Sequence, residues 1–170
     1  MRGDVLIVGA GFAGATCARE LAEAGRDVLV VEERDHIGGN AHDYYSPEGV
    51  RVHHYGAHIF HTNSDAVWAW ASRFTAWHPY RHRVVAAVGG QYVPVPINLD
   101  TIDALGSEQA AKDAIYAPYT RKQWGRYADD LDPSVLARVK VRPNRDPDYF
   151  TDTYQGLPQD GYTRMFERIL

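Results

Sequence analysis

Val5-Leu6-Ile7-Val8-Gly9-Ala10-Gly11-Phe12-Ala13-Gly14 joins an apolar run to a Gly-x-Gly-x-x-Gly turn and leads straight into an alanine-rich helical stretch. In strand–turn–helix context the three glycines have separate tasks. Gly9 makes the tight turn, Gly11 lets the backbone approach a pyrophosphate, and Gly14 lets helix and strand pack closely. The helix start at Phe12 and Ala13 offers N–H groups and a positive dipole end to phosphate. A second apolar run, Val28-Leu29-Val30-Val31, ends in Glu32-Glu33. An acid at the end of the second strand accepts hydrogen bonds from ribose hydroxyls and repels a 2′-phosphate. The bland alternative is an ordinary βαβ unit with a glycine-rich turn and a surface glutamate. Motif, context and acid together favour an α/β fold built on a Rossmann-like dinucleotide-binding unit.

The next segment separates the dinucleotides. Arg34-Asp35-His36-Ile37-Gly38-Gly39-Asn40 puts a glycine pair one short loop after the ribose acid. A plain nicotinamide-binding βαβ unit needs no close backbone approach there. Flavoproteins of the amine-oxidase-like type do, because their chain passes a second time beside the FAD pyrophosphate and flavin. A lone glycine pair is more often just a turn. Placed after Glu32, it makes FAD the expected cofactor, with Gly39, Asn40 and Glu33 joining the glycine turn in the binding set.

Composition bounds the rest. A chain of 170 residues is one domain, or one domain with a small attachment, and can bury a real core. A formal net charge of −4 gives no basic field, so nucleic acid is not an expected partner. The single cysteine, Cys17, excludes an internal disulfide and suits a reducing cytosol; among alanines on the first helix it reads as a small buried residue. Arg2, an apolar run and small residues superficially match a secretory leader. However, Asp4 precedes the run, three glycines interrupt it, and the cofactor motif accounts for its residues. No apolar stretch approaches membrane-spanning length. A soluble cytoplasmic protein is expected.

Residues 5–9 and 28–32 read as strands and 12–24 as a helix stopped by Gly25. Ser46-Pro47-Glu48-Gly49 is a turn signal inside a short strand pair from Tyr44 to Val52. Asn63 or Ser64 can cap a helix running to about Phe74. Val84 to Val95 alternates around Gly89-Gly90 as a hairpin. Ser107 can cap a helix that should end before Pro118, because proline disfavours helix at the residue before it. Prolines at 133, 143, 147 and 158 predict loops and extended segments, and Gly161 to Leu170 restarts a helix. Trp68, Trp70 and Trp77 read as core anchors. The organisation expected is a dinucleotide-binding core over 1–80, then a hairpin, a shortened helical insert and a substrate-loop segment over 81–170.

Four further stretches sharpen the reading: Gly38-Gly39-Asn40-Ala41; His54-Tyr55-Gly56-Ala57-His58-Ile59-Phe60-His61-Thr62-Asn63; Pro118-Tyr119-Thr120-Arg121-Lys122-Gln123-Trp124-Gly125; and Asp152-Thr153-Tyr154-Gln155-Gly156. In this order they resemble bacterial UDP-galactopyranose mutases. The resemblance runs from Met1 to Leu170 and covers the N-terminal half of such an enzyme. Two departures accompany it. Between Leu105 and Ala111 the family carries most of a helical substrate-binding domain, of which a few residues stand here. After Leu170 the family continues with more sheet, further arginines and tyrosines, and a segment closing over the flavin.

The resemblance implies interconversion of UDP-galactopyranose and UDP-galactofuranose without net redox change, yet with reduced FAD. The sugar's anomeric carbon passes from UDP to the flavin N5, and the ring opens and recloses through a different hydroxyl. His58 and His61 are then placed beside the flavin. Tyr119, Thr120 and Trp124 fall in the nucleotide and sugar site, where an aromatic face stacks on uracil. Arg138 matches a loop arginine that reaches the diphosphate, a task suited to a guanidinium, and has a catalytic role with the two histidines. Tyr149 matches a substrate-contacting tyrosine. A homodimer is implied for the full-length family.

Each assignment has a plainer counterpart. His58 and His61 could be satisfied core or turn histidines, Trp124 a core anchor, and Arg138 a solvated loop residue. His54, His58 and His61 cluster, but no Cys or acidic ligand stands at a familiar spacing, so no metal is expected. Two other functions are compatible with the motifs. One is a non-catalytic FAD- or nucleotide-binding fragment; the other is a different amine-oxidase-like flavoenzyme, against which the Lys-Gln-Trp segment speaks.

Overall fold

The computed structural model describes residues 4–127, 130–132 and 141–170. The chain divides into two compact units, Met1–Tyr80 with Asp152–Leu170, and Arg81–Thr151. Residues 152–170, grouped by the sequence with the second half, therefore pack with the first unit.

The first unit starts with β1 (Val5–Val8), α1 (Phe12–Glu23) and β2 (Val28–Val31). β1 and β2 pair in parallel with Val5 opposite Val28 and Val8 opposite Val31, the βαβ-type unit that the glycine turn predicts. Strand residues alternate between faces, so Val5, Ile7, Val28 and Val30 share one face and Leu6, Val8, Leu29 and Val31 the other. A Cβ on Gly14 would sit 3.3 Å from Ile7 Cγ2, which places α1 on the first face. Leu6 is 61% exposed and Val8 80%.

The second strand leads to a 3-10 turn, Gly39–Ala41, then β3 (Asp43–Tyr45) and β4 (Arg51–His53), antiparallel around the Ser46–Gly49 turn. β5 (Phe60–Thr62), β6 (Trp77–Pro79) and β9 (Tyr154–Pro158) form a separate sheet in the order β5-β9-β6, both pairs antiparallel. Between β5 and β6 lies α2 (Asp65–Ala71), capped by Ser64, whose Oγ accepts from Val67 N at 3.3 Å. It ends three residues before the expected Phe74, where Arg73 N and Phe74 N turn to the Trp70 and Ala71 carbonyls.

The unit closes on α6 (Tyr162–Ile169), which buries Tyr162, Met165, Phe166 and Ile169 at i, i+3, i+4 and i+7. That stripe is the centre of the core, with Ala15, Ala41, Ala71 and Phe74 around it and Ile37, Phe60, Trp70 and Trp77 packed against it. Trp68 stacks on Trp77 and Tyr154 at the edge of this cluster. Arg19 on α1 donates to the Ile169 and Arg168 carbonyls at 2.7 Å each, so a basic side chain serves the free acceptors at the end of α6. Cys17 is exposed, contrary to the small-core-residue expectation. On α1 the buried stripe runs through Ala15 and Ala18, and Cys17 falls beside it.

In the second unit, β7 (Val84–Val88) and β8 (Gln91–Val95) form the predicted hairpin around Gly89-Gly90. A helix the sequence reading did not foresee, α3 (Leu99–Leu105), is fixed by a capping box in which Asn98 and Thr101 bond reciprocally. Ser107 caps α4 (Glu108–Ala111), as expected. The helical path does not end before Pro118. It widens into a π-turn, Lys112–Tyr116, and continues as α5 (Ala117–Trp124) with Pro118 in its first turn. The π-turn restarts the hydrogen-bond ladder, so the proline sits where a missing N–H costs no bond. Val93, Ile97, Ala111 and Ile115 form this unit's core.

Candidate functional site

The site is a ring of hydrogen bonds around the glycine turn. Gly9 N donates to Val31 O at 2.7 Å, tying the turn to the end of β2. Glu32, the next residue, accepts from Ala10 N at 2.6 Å through Oε2 and from Arg34 N at 3.0 Å through Oε1. These bonds, with that from Ala10 the stronger, hold the Glu32 carboxyl below the usual range. Gly38 N donates to Ala10 O at 2.9 Å, so the second glycine loop is bonded to the first. The two backbones are nearly in contact: a Cβ on Gly39 would stand 3.1 Å from Gly11 Cα, in a backbone conformation of φ +56° that disfavours any side chain. At Gly14 a Cβ would lie 1.9 Å from the Gly9 carbonyl oxygen, which only glycine avoids.

These features fit FAD. α1 follows Gly11, which offers no side-chain cap, and has no acid in its first turn. Its N–H groups and positive end therefore remain available to a pyrophosphate. Glu32 stands beside the turn, its carboxylate bonded to Ala10 N and Arg34 N. The close second pass at Gly38-Gly39 is the feature that a nicotinamide unit does not need. The Phe12 side chain turns inward, 4.7 Å from the Phe166 ring and edge-on to Tyr162, so Phe12 and Ala13 would serve through their backbone. Asn40 Oδ1 accepts from Arg34 Nη1 at 2.9 Å, and Glu33 is exposed.

The histidine segment belongs to the same unit. His58 Nδ1 is 2.9 Å from Gly56 O; a carbonyl only accepts, so Nδ1 carries the proton and neutral His58 has its lone pair on Nε2. His58 N donates to His53 Nδ1 at 3.1 Å. Burial holds His53 below the ordinary histidine range against the opposing pull of the Asp43 charge. His61, on β5, meets Asp152 Oδ2 at 2.9 Å through Nδ1. Among the described residues no group of three or more His, Cys, Asp or Glu is arranged to hold a metal.

The expected substrate residues lie in the second unit. Tyr119 and Trp124 are largely exposed on α5, at 58% and 55%, so Trp124 is not the core anchor of the plainer reading. Thr120 is buried. Tyr119 Oη accepts from Gln123 Nε2 at 3.3 Å. Tyr149 is held by its backbone: its N donates to His82 O at 2.6 Å, and Arg142 donates to the Asp148 and Tyr149 carbonyls. Arg138 lies outside the described residues.

Two side chains that organise the site were not assigned a role from sequence. Asp43 accepts from Tyr162 N at 2.7 Å and Thr163 N at 2.8 Å, capping α6 from the far side of the chain. Asp152 orients toward both His61 and Asn63. Partners 119 and 91 positions away leave no local pattern to read.

The fold and this ring of bonds define a Rossmann-like dinucleotide-binding domain of the flavoprotein kind. The family model for an NAD(P)-binding Rossmann-like domain matches residues 7–74, and that for UDP-galactopyranose mutase matches residues 114–170. A Klebsiella pneumoniae protein described as a probable UDP-galactopyranose mutase is 38% identical, with 98% of this chain and 52% of the relative aligned. The dTDP-fucopyranose mutase of Escherichia coli is 36% identical over 98% of this chain and 53% of its own length. The UDP-galactopyranose mutase of Mycoplasma pneumoniae is 31% identical over 98% and 52%. A crystal structure of reduced UDP-galactopyranose mutase superposes with a TM-score of 0.72 at 20% identity, covering 99% of this chain and 46% of that one. The chain belongs to the UDP-galactopyranose mutase family, and spans about half the length of the curated relatives it matches. The Klebsiella alignment extends over 201 residues, more than the chain's own length, so that relative carries inserted residues which this chain lacks.

Proposed function

We propose that this chain binds FAD and contributes to a flavin-dependent interconversion of UDP-galactopyranose and UDP-galactofuranose. The observation that carries the reading is the bonded approach of the Gly38-Gly39 loop to the Gly9–Gly14 turn around Glu32, in a chain of this family. Gly9, Gly11, Phe12, Ala13, Gly14, Glu32, Glu33, Gly39 and Asn40 hold the cofactor, and His58 and His61 stand toward its flavin end. When bound and reduced, FAD supplies a nucleophile for the anomeric carbon. The chain's own work is to fix the dinucleotide, to bind the nucleotide sugar through Tyr119, Thr120, Trp124, Tyr149 and Arg138, and to offer imidazole acceptors where a proton must be held. Residues 1–80 act as the dinucleotide-binding part and residues of 81–170 as the substrate part. The protein acts in the cytoplasm, and a homodimer is its assembly. Among the described residues no helix is long and apolar enough to cross a membrane.

A second reading of the substrate comes from the Escherichia coli relative, which is nearly as similar and is described as acting on dTDP-fucopyranose. A thymidine nucleotide sugar is therefore the competing substrate.

The test has two stages. Calorimetric titration with FAD comes first, and a folded chain that takes up none refutes the cofactor reading. Next, the chain with chemically reduced FAD is given UDP-galactofuranose or its dTDP-fucofuranose counterpart, and pyranose product is measured by chromatography. Product above a flavin-only control supports the mutase reading and identifies the nucleotide. FAD uptake without product favours a non-catalytic cofactor-binding piece, because near-attack positioning of the sugar is then lacking.

A further inference from the structure

We propose that Asp152 and Asn63 are positioning residues that hold His61 in the Nδ1-protonated tautomer. The functional side of this proposal rests on the reading of His61 as a cofactor-site residue, whereas the tautomer itself is fixed by hydrogen-bond direction alone.

The chain of directions begins at a group whose role is fixed. Thr153 N–H can only donate, and it donates to the Asn63 side-chain oxygen at 2.9 Å, with Thr153 Oγ1 adding a second bond at 3.2 Å. That sets the Asn63 amide, whose oxygen and nitrogen are otherwise interchangeable. Asn63 Nδ2 must then face the other way, and it donates to Asp152 Oδ1 at 2.8 Å. The second carboxylate oxygen, Oδ2, lies 2.9 Å from His61 Nδ1. A carboxylate only accepts, so the proton is on Nδ1 and the lone pair of neutral His61 is on Nε2.

The backbone makes the arrangement stiff. His61 is opposite Gln155 in the β5–β9 pair, and Gln155 Nε2 donates to Asp152 O at 2.8 Å, which pins the turn that carries the carboxylate. The Asp152 side chain is 22% exposed and that of His61 38%, so neither is freely solvated. A carboxylate behind an imidazole, itself held by a third group, is the arrangement by which acid–base histidines are given one tautomer and one orientation. His58 reaches the same tautomer through the Gly56 carbonyl. The two histidines thus take the same tautomer by independent means, and only that of His61 depends on a replaceable side chain.

Asp152→Asn tests this without changing side-chain size. Asn63 still donates to the retained oxygen, so the new amide turns its NH2 toward His61 Nδ1 and requires Nε2 to carry the proton. Long-range proton–nitrogen NMR of the 15N-labelled, FAD-free chain at pH 8 should show His61 protonated on Nδ1, and on Nε2 in Asp152→Asn. A merely structural role would leave the tautomer unmoved, and thermal melts should show both chains folded. Nε2 protonation in the unsubstituted chain, or Nδ1 protonation persisting in the variant, overturns the proposal. In the FAD-loaded chain the variant should also alter how the flavin reduction potential varies with pH; an unaltered dependence overturns the service of His61 to the flavin. Failure to load FAD refutes the cofactor reading instead, and leaves the tautomer result to stand by itself.

Discussion

Glu32 does two things at once at the residue scale. It is the acid proposed to meet the ribose, and its carboxylate already ties Ala10 N and Arg34 N together, so it shapes the cradle before any ligand arrives. Hydrogen bonds to a charged group are stronger than neutral ones, so Glu32→Gln should weaken FAD binding by roughly 10-fold by calorimetry. Asp43 is the structural counterpart. It is buried, and Asp43→Ala would strand the Tyr162 and Thr163 N–H groups, a loss of about 3 kcal/mol readable in urea unfolding. His42 and His53 give a pH dependence. Both are held below the ordinary histidine range, chiefly by burial, and the neighbouring His36 ring, 3.9 Å from that of His42, adds to the effect there. The charged groups lining the two clefts beside His42 are Asp43 and Arg51 on the strand pair, Glu32, Arg34 and Asp35 on the loop, Asp160 just before α6, and Arg164 and Glu167 on it. A depressed histidine binds fewer protons in the folded than in the unfolded chain. The stability is fully present above the unfolded value near 6.5 and is lost as pH falls through the lower folded values. Thermal melts should therefore drop below about pH 6.5, and less steeply in His42→Phe.

The legibility of each element followed the range of its contacts. β1, α1, β2, the β7–β8 hairpin and the Ser64 and Ser107 caps depend on neighbours a few positions away, and all are visible in the chain. The π-turn at Lys112–Tyr116 is not, because proline reads as a stop unless a local widening resets the ladder. Nor could the sequence show that α6 packs beneath the cofactor loop, where a Cβ on Gly38 would stand 3.3 Å from Phe166. Phe166→Ala should cost about 3–5 kcal/mol and loosen that loop, seen as faster exchange of the Gly38 amide. The β1–β2 pair offers another test. Leu6, Val8 and Val31 are exposed on the face away from α1, and among the described residues β1 pairs only with β2. Such an edge invites association. Light scattering should show concentration-dependent growth that Val8→Lys reduces; a strictly monomeric chain at high concentration would contradict it.

For the whole molecule, the cofactor cradle was the most legible part, since glycines and one acid report backbone geometry directly. The proposed substrate residues were less so. Tyr119, Trp124 and Tyr149 are placed by a separate unit whose packing depends on Val93, Ile97 and Ile115, and nothing in the aromatic residues themselves distinguishes a stacking face from a core anchor. The proposed FAD site stands or falls with the two glycine loops bonded through Ala10. Calorimetric titration of the chain and of Gly39→Val with FAD, each with NAD as competitor, probes it without intermediaries. FAD uptake that NAD does not displace is expected, with its loss in Gly39→Val while circular dichroism shows the fold retained. A folded chain that prefers NAD, or a Gly39→Val chain that binds FAD as tightly, would contradict it.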